Sequence, residues 1–103
     1  MKVVKFHPEA ESEMVEAAKY YSMQQSELGV RFISSVQEAV NRIYLFPLLY
    51  PVMELDVRRS LVNTFPFGIL FRVFPNMIVI IAVMHLNREP DYWKNRLATR
   101  KQH

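Results

Sequence analysis

The sequence predicts an α+β fold: an N-terminal α-helical hairpin packed on a small antiparallel β-sheet, with a short C-terminal helix. Three observations carry that expectation. Between residues 8 and 46, apolar residues recur at helical spacing in two separate runs. After Pro51 the apolar period drops to two. The run "MIVIIAVMH" (77–85) is apolar on both faces, as in a strand covered on both sides.

The elements follow in order. "KVVKF" (2–6) is short and β-branched, a strand. Pro8 presets φ for a first helical turn, and Glu9 and Glu11 favour the positive end of the helix dipole. Ala10, Met14, Ala17, Ala18 and Tyr21 form one stripe, which leaves Glu9, Glu13 and Glu16 facing water. Ser26 is placed to cap a second helix, whose apolar face is Leu28, Phe32, Val36, Ala39, Val40 and Ile43. Pro47 stops it near Phe46. Helices joined by so short a break form an antiparallel hairpin.

"RRSLV" (58–62) reads as a strand, ended by "NTFP". "FGILFRVF" (67–74) puts Phe67, Ile69, Phe71 and Val73 on one face and Leu70, Arg72 and Phe74 on the other. Pro75-Asn76 makes a tight turn, with asparagine suited to positive φ at its second position. Pro90 and Asp91 open the final helix, where Tyr92 and Arg96 share a face. "FPF" (65–67) supplies a bend and two core aromatics.

At 103 residues, half of them hydrophobic, the chain (1–103) is expected to be one domain with one core. Absence of cysteine excludes disulfides, thiolate metal sites and a cysteine nucleophile, and fits a reducing cytoplasm. "MKVVKFHPEAE" lacks the apolar region of a signal peptide, and the longest apolar run is too short to span a membrane, so a soluble protein is expected. Net charge is +3, yet residues 1–50 carry −1 and residues 51–103 carry +4. Arg58, Arg59, Arg72, Arg88, Arg96 and Arg100 supply most of the second-half excess. Arginine suits bidentate contact with phosphate or carboxylate, although solubilising surface charge has the same composition.

"HLNREPDYWKNR" (85–96) concentrates the candidate chemistry. His85 closes the most apolar strand, and an imidazole there is either a general acid–base group or a histidine bonded to backbone. Arg88, Tyr92 and Arg96 add a phenol and two cations, and Arg58, Arg59 and Arg72 extend the positive surface. Such a set can cleave RNA: a base takes the 2′-OH proton, cations stabilise the pentavalent phosphate, and an acid protonates the leaving 5′ oxygen. The competing reading has Tyr92 and Trp93 packing the last helix while the arginines pair with Glu54, Asp56, Glu89 or Asp91. Trp93 is expected to be core. With no glycine-rich phosphate loop, zinc signature or nucleophile elbow, no cofactor and no metal is expected.

The words "EMVEAAKYY…LGVRFISSVQEAVNRI…FPLLYP", "VRRSLVNTFPFGILFRV" and "IVIIAVMHLNREPDYWKNR" resemble the RelE/ParE superfamily of bacterial toxins, from about Phe6 to Arg96. The resemblance implies the toxin of a type II toxin–antitoxin (plasmid stabilisation) module, cytoplasmic and neutralised by a cognate antitoxin. It implies the same helix-hairpin-on-sheet fold. Two activities are implied. A RelE-like member would cut mRNA on the ribosome, with His85, Tyr92, Arg59 and Arg88 as the matching catalytic positions. A ParE-like member would inhibit DNA gyrase without catalysis, with Arg58, Arg72, Arg96 and Arg100 contacting target or antitoxin. A non-toxic member that still binds antitoxin is a third reading. Promoter DNA would be contacted only through the antitoxin. Phe67-Gly68 stands where the nucleases carry an aromatic–arginine pair, and no lysine lies between Lys19 and Lys94. Both departures favour the ParE-like branch.

Overall fold

A computed structural model describes residues 2–101, with backbone alone for 99–101. The chain runs β1 (Val3–Phe6), α1 (Pro8–Gln24), α2 (Ser26–Leu45), a 3-10 turn (Pro47–Leu49), β2 (Val52–Glu54), β3 (Val57–Leu61), β4 (Phe67–Phe74), β5 (Met77–His85) and a 3-10 helix (Lys94–Lys101). The α+β expectation holds, with β4 where the alternation put it and β5 where the run apolar on both faces put it.

α1 begins at Pro8 because His7 caps it. The imidazole Nδ1 accepts the Glu9 N–H at 3.1 Å, and Glu9 and Glu11 sit in the first turn. A single extended residue, Gln25, separates the helices, and Ser26 is the first helical residue of α2 rather than its cap. Gly29 lets the two helices touch: a Cβ there would lie 1.9 Å from Ser22 Oγ and 2.8 Å from the Ala18 carbonyl oxygen. Beyond it, Tyr21, Phe32, Phe65 and Phe67 form a ring cluster with centroids 4.9–6.3 Å apart. "FPF" thus does close the core.

Strand order is β1-β5-β4-β3-β2. The sheet is mixed rather than wholly antiparallel, because β1 pairs parallel with β5 while β2 to β5 are antiparallel neighbours. No hairpin turn ties β1 to β5. β1 docks on the open edge of β5, and the His7 N–H donates to Ile80 O at 2.8 Å as the chain turns into α1. Three-residue β2, too short for its alternation to show in sequence, closes the opposite end. The Pro75-Asn76 turn forms without positive φ; among the described non-glycine residues only Leu55 and Thr64 have it.

The sheet has two buried faces. Ile69, Phe71, Ile78, Ile80 and Val83 pack against Phe32, Val36, Ala39 and Ile43 of α2 and Ala10 of α1. Val57, Leu70, Ile81, Ala82 and Met84 pack against Trp93, with Tyr92 and Leu97 alongside. Trp93 is completely buried, as expected of a core tryptophan. The C-terminal helix starts at Lys94, later than Pro90, and is 3-10. Its approach is a chain of three-residue turns, Tyr92 N–H to Glu89 O, Lys94 N–H to Asp91 O and Arg96 N–H to Trp93 O. No described helix is long and apolar enough to cross a membrane.

Candidate functional site

The register of β5 against β4 slips between Leu70↔Ala82 and Phe71↔Ile80, leaving Ile81 as an extra residue. Ile81 and Ala82 therefore both face the Trp93 side, as a bulge dictates. Past the bulge, β1 has ended and the edge of β5 is open. Glu13 of α1 closes it, its Oε1 accepting the Val83 N–H at 3.0 Å. Arg96 then reaches round the edge from the C-terminal segment. Its Nη1 donates to Ile81 O at 2.9 Å and to Glu13 Oε1 at 3.1 Å, and its Nη2 donates to Glu13 Oε2 at 2.8 Å. Glu9 lies 3.3 Å from the same Nη2.

This overturns two expectations. Arg96, read as part of an exposed polar face, is 6% exposed. Glu13, read as facing water, is among the least exposed charges of α1. Burial alone would lower the Arg96 pKa, but the hydrogen bonds and charge of Glu13 hold it above its ordinary value. The reason is long-range: the contact joins residues 83 apart, and no local pattern announces it.

Tyr92 sits between two cations. The Arg88 guanidinium lies 3.8 Å from its ring centroid and that of Arg96 5.0 Å. The structure therefore does bring Arg88, Tyr92 and Arg96 together, but around a half-buried phenol. Burial first, then the Glu13 carboxylate, raise the Tyr92 pKa, against the pull of Arg96 and Arg88. A phenol whose pKa is raised on folding stabilises fully below its unfolded value, about 10, and loses that contribution as pH climbs further. Tyr21, Lys94 and Arg96 are also raised and act in the same direction. The urea midpoint of the wild type should hence fall between about pH 9 and about pH 11 by more than that of Tyr92→Phe. Equal falls in the two proteins would show that Tyr92 contributes nothing to the alkaline loss.

His85 lies apart from the Arg59 surface. It pairs in register with Phe67, on the helix side, and its ring stands edge-on to Phe67 at 5.1 Å. Its Nδ1 accepts the Asn87 N–H at 3.0 Å, the backbone-bonded role weighed from sequence. Arg59 is on β3 opposite Leu70, a residue of the Trp93 side. Its aliphatic stem lies across Gly68, where a Cβ would meet Arg59 Cδ at 3.2 Å. Strand alternation thus sends His85 and Arg59 to opposite faces of the sheet.

The remaining arginines are occupied in other ways. Arg58 donates to the Tyr50 carbonyl. Arg72 grips Asp56 with Nε at 3.1 Å from both carboxylate oxygens and Nη2 at 2.9 Å. The Arg100 side chain lies outside the described residues. Lys94 bonds Glu54 and Asp91. Among the described residues, no group of three His, Asp or Glu side chains is arranged to hold a metal.

Sequence reasoning missed a groove of about 720 Å³ on the side opposite the helices. Val79, Ile81, Met77 and Phe74 give it an apolar floor, while Lys5, Arg72 and Arg96 bring positive charge to it. Among the described residues, the C-terminal segment covers only the Trp93 end of this sheet face. Lys5 and Phe74 carried no signal individually; the parallel docking of β1 is what brings Lys5 beside β5.

A family model described as "ParE toxin of type II toxin-antitoxin system, parDE" matches residues 4–90. Among solved structures, one of the chromosomal ParDE TA system from P. aeruginosa superposes with a TM-score of 0.75 at 19% identity. The match covers 84% of this chain and 98% of that one. No curated protein matches the sequence.

Proposed function

The chain belongs to the ParE toxin family of type II toxin–antitoxin systems, and from that premise we propose that it inhibits DNA gyrase by binding, without catalysis, and is neutralised by a cognate antitoxin in a plasmid-stabilisation module of the bacterial cytoplasm. The observation that carries the non-catalytic reading is the separation of His85 from Arg59 by the sheet. An acid–base histidine and a charge-stabilising arginine cannot serve one phosphate from two sides of a β-sheet. Arg96 is engaged with Glu13 and the Tyr92 ring is packed against Arg88 and Arg96, which further weakens the case for ribosome-dependent mRNA cleavage. The apolar groove with Lys5 and Arg72 beside it suits an acidic, amphipathic antitoxin segment that folds on contact. Promoter DNA is then met by the antitoxin alone.

The test is pulse-labelling of DNA and protein synthesis after induction without antitoxin. A first fall in DNA synthesis supports gyrase inhibition; a first fall in protein synthesis with cleaved transcripts refutes it; no change in either would mean a non-toxic antitoxin-binding member. His85→Ala is expected to leave growth arrest intact, whereas an enzyme losing its acid–base group would slow on the order of 10²-fold.

A further inference from the structure

A second surface lies around Gly68, on the Trp93 side of the sheet and at the end of β4 away from the groove. Arg59 and Leu61 of β3 share this face, and Leu61 stands opposite Gly68 in the β3–β4 register. A Cβ on Gly68 would meet Arg59 Cδ at 3.2 Å, Arg59 Cγ at 3.3 Å and Leu86 Cδ2 at 3.6 Å. The Arg59 stem and the Leu86 side chain therefore lie against the same bare stretch of β4, with Leu61 beside it. Both leucines face solvent, Leu61 at 53% exposed and Leu86 at 42%.

Arg59 is held at its stem and open at its head. The residue is exposed, and its guanidinium makes no hydrogen bond, ion pair or ring contact among the described residues. Arg72 and Arg96, by contrast, are engaged by carboxylates, Arg58 by the Tyr50 carbonyl and Arg88 by the Tyr92 ring. A stem already laid on backbone has less rotamer freedom to lose when its head finds an anion. The connection between β3 and β4 is pinned to the same place, because the Leu86 N–H donates to Pro66 O at 2.9 Å. Within that connection the exposed Thr64 has φ 77°. Such a conformation is rare for a β-branched residue, and strain of this kind clusters where a surface makes contacts.

We propose that Arg59, presented over Gly68 beside Leu61 and Leu86, is the anchor by which the chain grips a carboxylate of its target protein, an acidic side chain set among apolar neighbours; this rests on the gyrase-binding reading above. The apolar flanks select this partner. A nucleic-acid backbone is held by several cations on successive phosphates. One forked cation with exposed leucines around it matches instead a single carboxylate flanked by apolar side chains. The groove lies at the opposite end of the sheet face, so the anchor and the antitoxin segment use different surfaces.

Binding of the full chain to purified DNA gyrase, together with inhibition of supercoiling, tests the proposal. Arg59→Glu is expected to weaken both at least about tenfold at an unchanged melting temperature, because the guanidinium bonds nothing in the fold. Leu61→Asp, which sets a like charge against the carboxylate, should also weaken binding. Gly68→Ala pushes the Arg59 stem aside, so it should weaken binding when Arg59 is present and add nothing in Arg59→Glu. A purely structural role for Gly68 would give the same loss in both backgrounds. Arg59→Glu and Leu61→Asp proteins that bind gyrase as tightly as the wild type overturn the anchor and leave the gyrase reading standing. A wild type that neither binds gyrase nor inhibits it overturns both. A loss in Arg59→Glu confined to binding of a single-stranded RNA oligonucleotide overturns the anchor by assigning the arginine to nucleic acid.

Discussion

Gly29→Val is expected to lower the melting temperature by on the order of 15 °C, a cost of about 3 kcal/mol or more. The cause is the 2.8 Å approach of a Gly29 Cβ to the Ala18 carbonyl oxygen, a backbone atom that moves only if α1 and α2 separate. Separation would loosen the Tyr21–Phe32 ring contact that both helices present to the sheet. Even Gly29→Ala, which gains about 1 kcal/mol of helix propensity, is expected to be destabilised on balance. The Ser22 hydroxyl is the softer obstacle because its side chain turns away or is removed. Pairing Gly29→Ala with Ser22→Gly should therefore recover only part of the loss, leaving the backbone clash. Thermal unfolding of the three variants decides the matter, and a Gly29→Ala protein as stable as the wild type would remove the crossing argument.

Arg96→Ala is expected to cost about 3–5 kcal/mol, because it leaves the largely buried Glu13 carboxylate without its cation. Glu13 would still accept the Val83 N–H, but one hydrogen bond does not offset an uncompensated charge. The Ile81 carbonyl also loses its donor. Replacing the pair together, Glu13→Leu with Arg96→Met, should be far less damaging than the two single costs added, since the charge is removed with its partner. It should still fall short of wild type by about 1–3 kcal/mol, the penalty for an orphaned Val83 N–H. Urea midpoints of Glu13→Leu, Arg96→Met and the double give the coupling directly. Additive costs would mean that the pair does not act as a unit.

That pair shows where sequence reading stopped. The helix stripes, the alternation of β4 and the two-sided burial of β5 were legible because each is a local period, set by 3.6 residues per turn or by two residues per pleat. The core role of Trp93 and of "FPF" was legible for a related reason: large apolar side chains next to apolar strands have few other places to go. Glu13 looked like solvent because its own helix gives no hint of a bulge in β5 or of a cation 83 residues later. His85 and Arg59 looked like partners because the family resemblance groups them, and a resemblance in words says nothing about which face each side chain leaves from. Three-residue β2 was too short to announce itself.

By itself, then, the sequence determined the class of fold, the order of its elements and the family to which its words correspond, since all three are written in residue types and spacings. Only the tertiary structure decided that Arg96 is a clasp on Glu13 and that His85 and Arg59 stand on opposite faces of the sheet. Those outcomes depend on strand register, a single bulge and the docking of β1. Each is set by the packing of distant segments against one another, where a shift of one residue reverses the face on which every later side chain lies.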